Sequence, residues 1–523
     1  MADFTTRLPR ALYLAEQVRE LDRLAIERFD IPGFTLMQAA GAAAFTLLRE
    51  TWPQVQRLVV FAGSGNNAGD GFIIARLGAE AGLQVSIIQV GNTDNLQGAA
   101  AEAHARAVDK GVPMLTLAEL RAAPQHDSPN TVAVDALLGT GLDRQVAGDY
   151  ASAIELLNER DWPVLAVDIP SGLAADTGQP LGSAVVAEVT VTFIGMKFGL
   201  LTGRAREFAG RVYFDSLDVP EGVHTGDDSP RPVARRIDIN DTARYLPARR
   251  AASHKGDNGH VLVLGGDHRY GGAVIMAAEA AARAGAGLVS VLTRSAHREA
   301  ALARRPELMV MGTEDSDRQP AVLLAKADAI VIGPGLGRDA WARELLQLAL
   351  AEQRARGIPL VLDADALHLL AERADANAPT KRDNWILTPH PGEAAVLLGS
   401  DAAAIQADRL AAVSALAAKW GGACLLKGSG SLIAGPGEAR PLFLCSEGNP
   451  GMGTGGMGDI LSGVVGALLA QGLALTEALC CAVCIHGEAA DLAAAEGGER
   501  GLLATDLLPH IRELVNLPDS VQS

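Results

Sequence analysis

The sequence predicts an α/β protein of two domains, on three observations. Short apolar runs alternate with helical stretches over the first 220 residues, the pattern of a mostly parallel sheet wound by right-handed crossovers. The alternation stops over Val219–Arg236, a stretch rich in Pro, Gly and charge that reads as a linker. It then restarts with new apolar runs and long Ala-rich helices. The predicted division is a domain over 1–220, a linker over 221–235 and a second domain over 236–515. A length of 523 residues agrees, being more than one hydrophobic core usually serves.

In the first domain, apolar residues at helical spacing predict helices over 11–29 and 34–50. Strands are predicted at Leu58–Phe61, Val85–Val90, Val132–Leu138, Val164–Ile169 and Val189–Ile194, with helices near 70–82, 97–110 and 150–159. In the second, strands are predicted at Val261–Leu264, Leu288–Leu292, Ala329–Ile332, Pro359–Leu362 and Cys424–Leu426. Helices fall near 272–285, 339–355, 401–419, 456–470 and 475–495. There is no short-period repeat, so the halves are two different α/β domains.

Composition narrows the function classes. Hydrophobic residues at 48% and charged residues at 20% are ordinary for a globular chain. A net charge of −17, no basic block and only 4% aromatics argue against nucleic-acid binding. Five cysteines do not suggest a disulfide framework, and the lone Cys481-x-x-Cys484 reads as buried structural thiols. The N-terminus has no apolar signal core, and no uninterrupted apolar run reaches membrane-spanning length. The expectation is a cytoplasmic protein with no membrane partner; its apolar, Ala-rich helices suggest a homo-oligomer.

In open α/β sheets ligands gather at the carboxyl ends of strands. After the first strand comes Gly63-Ser-Gly-Asn-Asn-Ala-Gly-Asp-Gly71, read as a Gly-rich loop before a helix whose amides meet an anion. Asn66 and Asn67 add side chains able to hold a phosphate, a sugar or a monovalent cation. Asp135 (in Asp135-Ala-Leu-Leu-Gly-Thr-Gly-Leu142) and Asp168 (in Asp168-Ile-Pro-Ser-Gly172) end two further strands. Three such strand ends converge on one cleft, and Lys197 is a plausible cationic member of it.

These segments closely resemble the NAD(P)H-hydrate epimerase domain across roughly 10–220. The resemblance implies a Rossmann-like, three-layer α/β fold with potassium held by Asn67, Asp135 and Ser171. It places Asn66, Asn67, Ala68, Gly69 and Asp70 around the hydrate, with Asp168. It also places there Gly139, Thr140, Gly141, Leu142, Asp143, Arg144 and Gln145. Ala68 stands where the family more often has Gly, which matters little if the local φ is negative. Epimerisation at C6 needs an acid/base group; Asp168 is the candidate, with Lys197 as electrostatic help.

The strongest signal in the second half is Asn449-Pro-Gly-Met-Gly-Thr-Gly-Gly-Met-Gly-Asp-Ile-Leu-Ser-Gly463. Its glycines suggest an amide-lined anion hole at a helix start, with Asp459 in the first turn as a base toward an attacking hydroxyl. His254-Lys-Gly256, Gly265-Gly-Asp267, Tyr270-Gly-Gly-Ala273, Gly333-Pro-Gly-Leu-Gly337, Asp363-Ala-Asp-Ala366, Thr388-Pro-His-Pro-Gly-Glu393 and Lys427-Gly-Ser-Gly430 flank or end other strands. His390 is read as a ligand contact. Lys427 meets phosphate or forms a surface salt bridge. His486, on an Ala/Cys-rich helix, reads as structural.

Together these segments resemble the ADP/ATP-dependent NAD(P)H-hydrate dehydratase, with a ribokinase-like α/β fold, across about 235–512. Gly271 departs from the Pro the family commonly has after Tyr. Carried over by position, Ala273, Gly335, His390 and Asp459 contact the hydrate. Lys427, Gly428, Ser429, Gly430, Ser431 and Gly458 contact the adenine nucleotide. The implied reaction phosphorylates the C6 hydroxyl, with Asp459 as base, so that phosphate leaves where hydroxide would not. The implied cofactors are K+ and Mg2+, with ADP as cosubstrate and ATP as the alternative. The implied partners are NADH hydrate, NADPH hydrate and an adenine nucleotide. Hydration gives both configurations at C6, so a fused epimerase lets the whole pool reach a stereoselective dehydratase. The rival readings are a ribokinase-like small-molecule kinase with an accessory nucleotide-binding domain, and a nucleotide sensor without turnover.

Overall fold

A computed structural model describes residues 8–122, 130–316, 320–375, 381–437 and 441–516. The chain separates into two compact units, Met1–Arg235 and Arg236–Ser523.

The first unit is built on a parallel sheet of seven strands. From edge to edge they are Met114–Leu115, Gln84–Gln89, Arg57–Ala62, Thr131–Ala136, Val164–Val167, Val189–Phe193 and Arg211–Asp215. Strands such as Thr131–Ala136 are buried at every position, as parallel strands covered on both faces must be. One layer is formed by the helices Ala15–Glu27, Gly33–Thr51, Asn66–Glu80 and Gly98–Asp109, around Leu21, Leu48, Phe72 and Ile87. Gly148–Asn158 packs on the other face around Phe61, Ile154 and Leu165's neighbour Ala166. The order of strands reverses between Arg57–Ala62 and Thr131–Ala136. That reversal opens a crevice at their carboxyl ends.

Three differences from the sequence reading have local causes. The helix expected over 11–29 begins only at Ala15, because Ala11–Tyr13 is a strand parallel to Met196–Lys197 and antiparallel to residues 234–235. The segment expected to be a linker holds the helical turn Gly222–Thr225 and the strand Ala234–Ile237. The Gly63–Gly71 segment is a loop only through Gly65; Asn66–Glu80 is one helix. Gly69 and Gly71 serve packing. A Cβ on Gly69 would lie 2.4 Å from Met37 Sδ, and one on Gly71 2.6 Å from the Ala136 Cβ. Ala68 is helical and absent from the positive-φ residues, so its departure from Gly is accommodated.

The second unit carries nine strands in the order Met309–Gly312, Leu288–Thr293, His260–Leu264, Ala329–Ile332, Leu360–Leu362, Trp385–Leu387, Ala423–Leu426, Ser431–Ala434 and Leu442–Cys445. The first seven are parallel; the last two form antiparallel pairs. The order reverses between His260–Leu264 and Ala329–Ile332. Met457–Ala470 packs on Gly271–Arg283 at backbone contact, since a Cβ on Gly463 would lie 2.1 Å from the Ala277 carbonyl oxygen. The helix expected over 401–419 is two, Ala402–Ala407 and Arg409–Trp420, each capped by an Asp side chain. Leu475–Gly497, with mean hydropathy 1.4 over its most apolar window, is long and apolar enough to cross a membrane, but 72% of that window is buried in the core.

Candidate functional site

In the first unit the turns after Ala62, Ala136 and Val167 meet at the reversal of strand order. Asp135 is fully buried. Its carboxylate accepts from the Ser171 amide (2.7 Å) and hydroxyl (2.6 Å), tying two strand ends together. Burial raises its pKa to about 6, against those hydrogen bonds. Asn67 donates to the Leu138 carbonyl at 3.0 Å, while its Oδ1 is buried with no hydrogen-bond partner among the described residues. Gly139 fits between Asn67 and Asp168: a Cβ there would lie 3.4 Å from one and 3.9 Å from the other.

Asp168 has φ +69°, a left-handed backbone that a non-glycine residue adopts at a cost of about 1–3 kcal/mol and that concentrates at functional sites. Its carboxylate pairs with the ammonium of Lys197, which also donates to the Phe193 carbonyl at 3.2 Å. Lys197 is therefore a buried partner of Asp168, 1% exposed. Asn67 and Gly139 lie beside Asp168, and the carbonyl of Thr140 accepts from Arg19. Asp143, Arg144 and Gln145 are exposed.

Sequence reasoning passed over Asp22, in Ala15–Glu27. Its carboxyl feels both Lys197 and Asp168, and burial lifts its pKa to about 6. Asp70 is pushed well above the carboxylate range by burial, then by Asp168 and Asp22. Helical spacing placed Asp22 on the same face as Val18, but nothing local indicated what that face meets.

In the second unit the central feature is Lys427. Its ammonium lies 2.7 Å from Asp363 Oδ1 and 3.7 Å from Glu393 Oε2. Asp363 also accepts from the Ser462 hydroxyl at 2.6 Å. Burial opposes the charge on Asp363, yet Lys427 and the hydroxyls of Ser462 and Thr388 hold its pKa below the usual carboxylate range. Burial likewise opposes the charge on Lys427, and Asp363 and Glu393 more than offset it, raising the pKa. The salt bridge considered for Lys427 therefore exists, but inside the protein. Ser462 lies one helical turn beyond Asp459; that spacing was the available signal for it.

Asp459 sits in the first turn of Met457–Ala470, and its pKa is raised to about 7 by burial and then by Asp363 and Glu393. Among the glycines of 451–463 only Gly456 has positive φ (+96°), so Gly458 and Gly463 act through close packing. A Cβ on Gly458 would come within 3.3 Å of the Lys427 ammonium. His390 caps the helix Pro391–Leu398: its Nδ1 accepts from the Gly392 amide at 3.0 Å, and Glu393 accepts from the His390 amide at 2.8 Å. The ring is exposed, and its Nε2 lies 3.4 Å from Glu393 Oε1. Arg409, fully buried, donates to the carbonyls of Leu426, Lys427 and Gly430 and so shapes the turn carrying Gly428, Ser429 and Ser431.

Ala273 and Gly335 meet at the other side of the crevice. Gly335 has φ +58°, its carbonyl accepts from Asp267 at 2.7 Å, and a Cβ on it would lie 3.1 Å from that of Ala273. Gly271 leaves room for the His297 ring, which a Cβ would approach to 2.5 Å. His486 is buried, which lowers its pKa to about 4.

A bifunctional NAD(P)H-hydrate repair enzyme of Coxiella burnetii is 46% identical over 505 residues, covering 97% of this chain and 99% of the relative. The chain belongs to the bifunctional NAD(P)H-hydrate repair enzyme family. The repair enzyme of Escherichia coli is 41% identical, covering 97% of this chain and 95% of its own. Residues 261–513 match the family described as NAD(P)H-hydrate dehydratase, and 33–199 the family described as YjeF-related protein N-terminus. The two repair-enzyme halves thus coincide with the two crevices. An ADP/ATP-dependent NAD(P)H-hydrate dehydratase of Bacillus subtilis, co-crystallised with ATP and Mg2+, is 28% identical, covering 53% of this chain and 94% of that one with a TM-score of 0.44.

Proposed function

We propose that this chain repairs hydrated NADH and NADPH, its first unit interconverting the two C6 epimers and its second dehydrating the S form at the expense of ADP. The observation that carries the reading is the pairing of two acid/base centres, Asp168–Lys197 and Asp459–Lys427–Asp363, each gathered at the carboxyl ends of parallel strands.

In the epimerase unit, Asp168 takes the proton of the C6 hydroxyl as the bond from C6 to the ring nitrogen breaks, and the nitrogen gains a proton. Rotation and reclosure on the opposite face give the other epimer. Lys197 holds the Asp168 carboxylate in place through their ion pair. Asn66–Asp70 and Gly139–Gln145 surround the hydrate. The orphaned Oδ1 of Asn67, the carboxylate of Asp135 and the hydroxyl of Ser171 form an oxygen donor set that suits K+. Bound there, K+ would neutralise a buried carboxylate and fix the loop after Ala136.

In the dehydratase unit, Asp459 removes the C6 hydroxyl proton as that oxygen attacks the terminal phosphoryl group of ADP, releasing AMP. The phosphate then leaves with the C6–O electron pair, C5 loses a proton, and the dihydropyridine double bond returns. Lys427–Ser431 and Gly458 receive the nucleotide; Ala273, Gly335 and His390 receive the hydrate. Mg2+ would be held chiefly by nucleotide phosphates with a carboxylate such as Glu393, supplying charge neutralisation.

The test is recovery of NADH absorbance from a mixture of both hydrate epimers with ADP or ATP and Mg2+. Wild type recovers the full pool. Asp168→Asn recovers the S fraction and then slows to the rate of spontaneous epimerisation, while Asp459→Asn recovers none. Accumulation of a stable phosphorylated product without NADH would replace this reading with a small-molecule kinase.

A further inference from the structure

Away from both crevices, the core of the second unit contains a cluster of sulfur and carboxyl groups that the repair chemistry does not use. Cys445 ends the strand Leu442–Cys445, Glu447 follows two residues later, and Cys484 lies in the middle of the helix Leu475–Gly497. The two sulfurs are 3.9 Å apart, and Cys445 Sγ is 3.6 Å from Glu447 Oε2. All three potential ligand atoms lie within 4.8 Å of one another. A tetrahedral zinc with Zn–S of about 2.3 Å and Zn–O of about 2.1 Å spaces two sulfurs by roughly 3.8 Å and a sulfur and oxygen by roughly 3.6 Å. Both observed edges match.

We propose that Cys445, Glu447 and Cys484 bind a thiophilic divalent cation of the zinc class. Glu447 is already oriented for this. Its Oε1 accepts from the Ile239 amide at 2.7 Å, leaving Oε2 toward the sulfurs, the outer-shell arrangement that fixes a ligating carboxylate. Both cysteines are buried (1% exposed), so the ion would be shielded from solvent as structural zinc is.

The site lies at the root of the glycine loop. Directly after Glu447, the Gly448 amide and the Asn449 side chain both donate to Asp491, at 2.8 Å each, on the helix that carries Cys484. A cation there would fasten the loop leading to Asp459 onto that helix at a second point.

The experiment uses the untagged full-length chain. Elemental analysis after zinc loading and gel filtration is expected to find about one zinc per chain. Cobalt loading is expected to give a thiolate-to-cobalt charge-transfer band. The metal should be lost in Cys445→Ser and Cys484→Ser, weakened in Glu447→Gln, which leaves both core thiols in place, and retained in Cys481→Ser. Circular dichroism establishes which variants fold; the Glu447→Gln comparison stands even if the serine variants do not. Wild type that takes up neither ion, uptake unchanged by these substitutions, or a thiol count showing Cys445 and Cys484 joined as a disulfide would each overturn the proposal.

Discussion

Replacing Lys427 with Met would remove the only cation that, among the described residues, pairs with the carboxylate of Asp363, which is 2% exposed at its side chain. Breaking a buried pair by deleting one partner costs about 3–5 kcal/mol, because the remaining charge is left in a poorly solvated interior. The hydroxyl of Ser462 persists as a partner, and Lys427 is itself 19% exposed, so the lower end, about 3 kcal/mol, is expected here. In the wild type Asp363 is held below its ordinary pKa, so its contribution is present above the unfolded value near 4 and lost as pH falls through the folded one. Without Lys427 the carboxyl is raised instead. The penalty then grows with pH, and the variant's deficit should be largest near pH 7 and shrink toward about pH 5. Urea unfolding followed by tryptophan fluorescence reads this directly, since Trp385 and Trp420 are buried in the same unit and Leu387 pairs with Leu362 beside Asp363. Asp363→Asn combined with Lys427→Met should recover most of the loss. A loss below about 1 kcal/mol that does not vary with pH would put Lys427 in the class of exposed ion pairs and refute the reasoning.

Three further outcomes are expected. Dehydration of purified S hydrate should rise about tenfold per pH unit below about pH 7 and flatten above it, because Asp459 must be deprotonated to act as base and burial raises its pKa to about 7; a profile flat through that range would exclude it as the base. Lys197→Met should slow epimerisation, followed by chromatography of the two epimers, by about 10²-fold or more while leaving S-hydrate dehydration within twofold; equal losses in both reactions would point to misfolding rather than to the Asp168 pair. Arg409→Met should raise the nucleotide KM about tenfold, roughly 1.4 kcal/mol, with a smaller effect on the hydrate KM, since the guanidinium holds the carbonyls of Leu426, Lys427 and Gly430. Unchanged nucleotide affinity would confine Arg409 to core stability.

What the sequence made legible and what it concealed divide along a physical line. Alternating apolar runs located the main strands because a strand buried on both faces has little choice of residue, as in Leu58–Phe61 and Ala329–Ile332. Short strands such as Met196–Lys197 and Trp385–Leu387 were missed because two or three residues carry no period. Glycine was the most misleading signal. Gly69 looked like loop freedom beside a ligand, yet it is helical and allows close packing; a missing Cβ has the same appearance in sequence whether it serves φ or contact. Of the proposed site residues, Asp168 and Asp459 were singled out because each stands alone at a strand end or helix start, where a carboxylate has a chemical reason to be. The residues that set their electrostatics were concealed. Ser462, Arg409 and Asp22 lie on helices whose inward face was predictable, but what each meets depends on strand order, which no local pattern encodes. The environment of Asp459 shows why this matters for function. A carboxylate with an ordinary pKa would be ionised at neutral pH but a weak base, and it is the convergence of Asp363, Glu393 and burial, from three separate elements, that raises it to where proton abstraction is most effective.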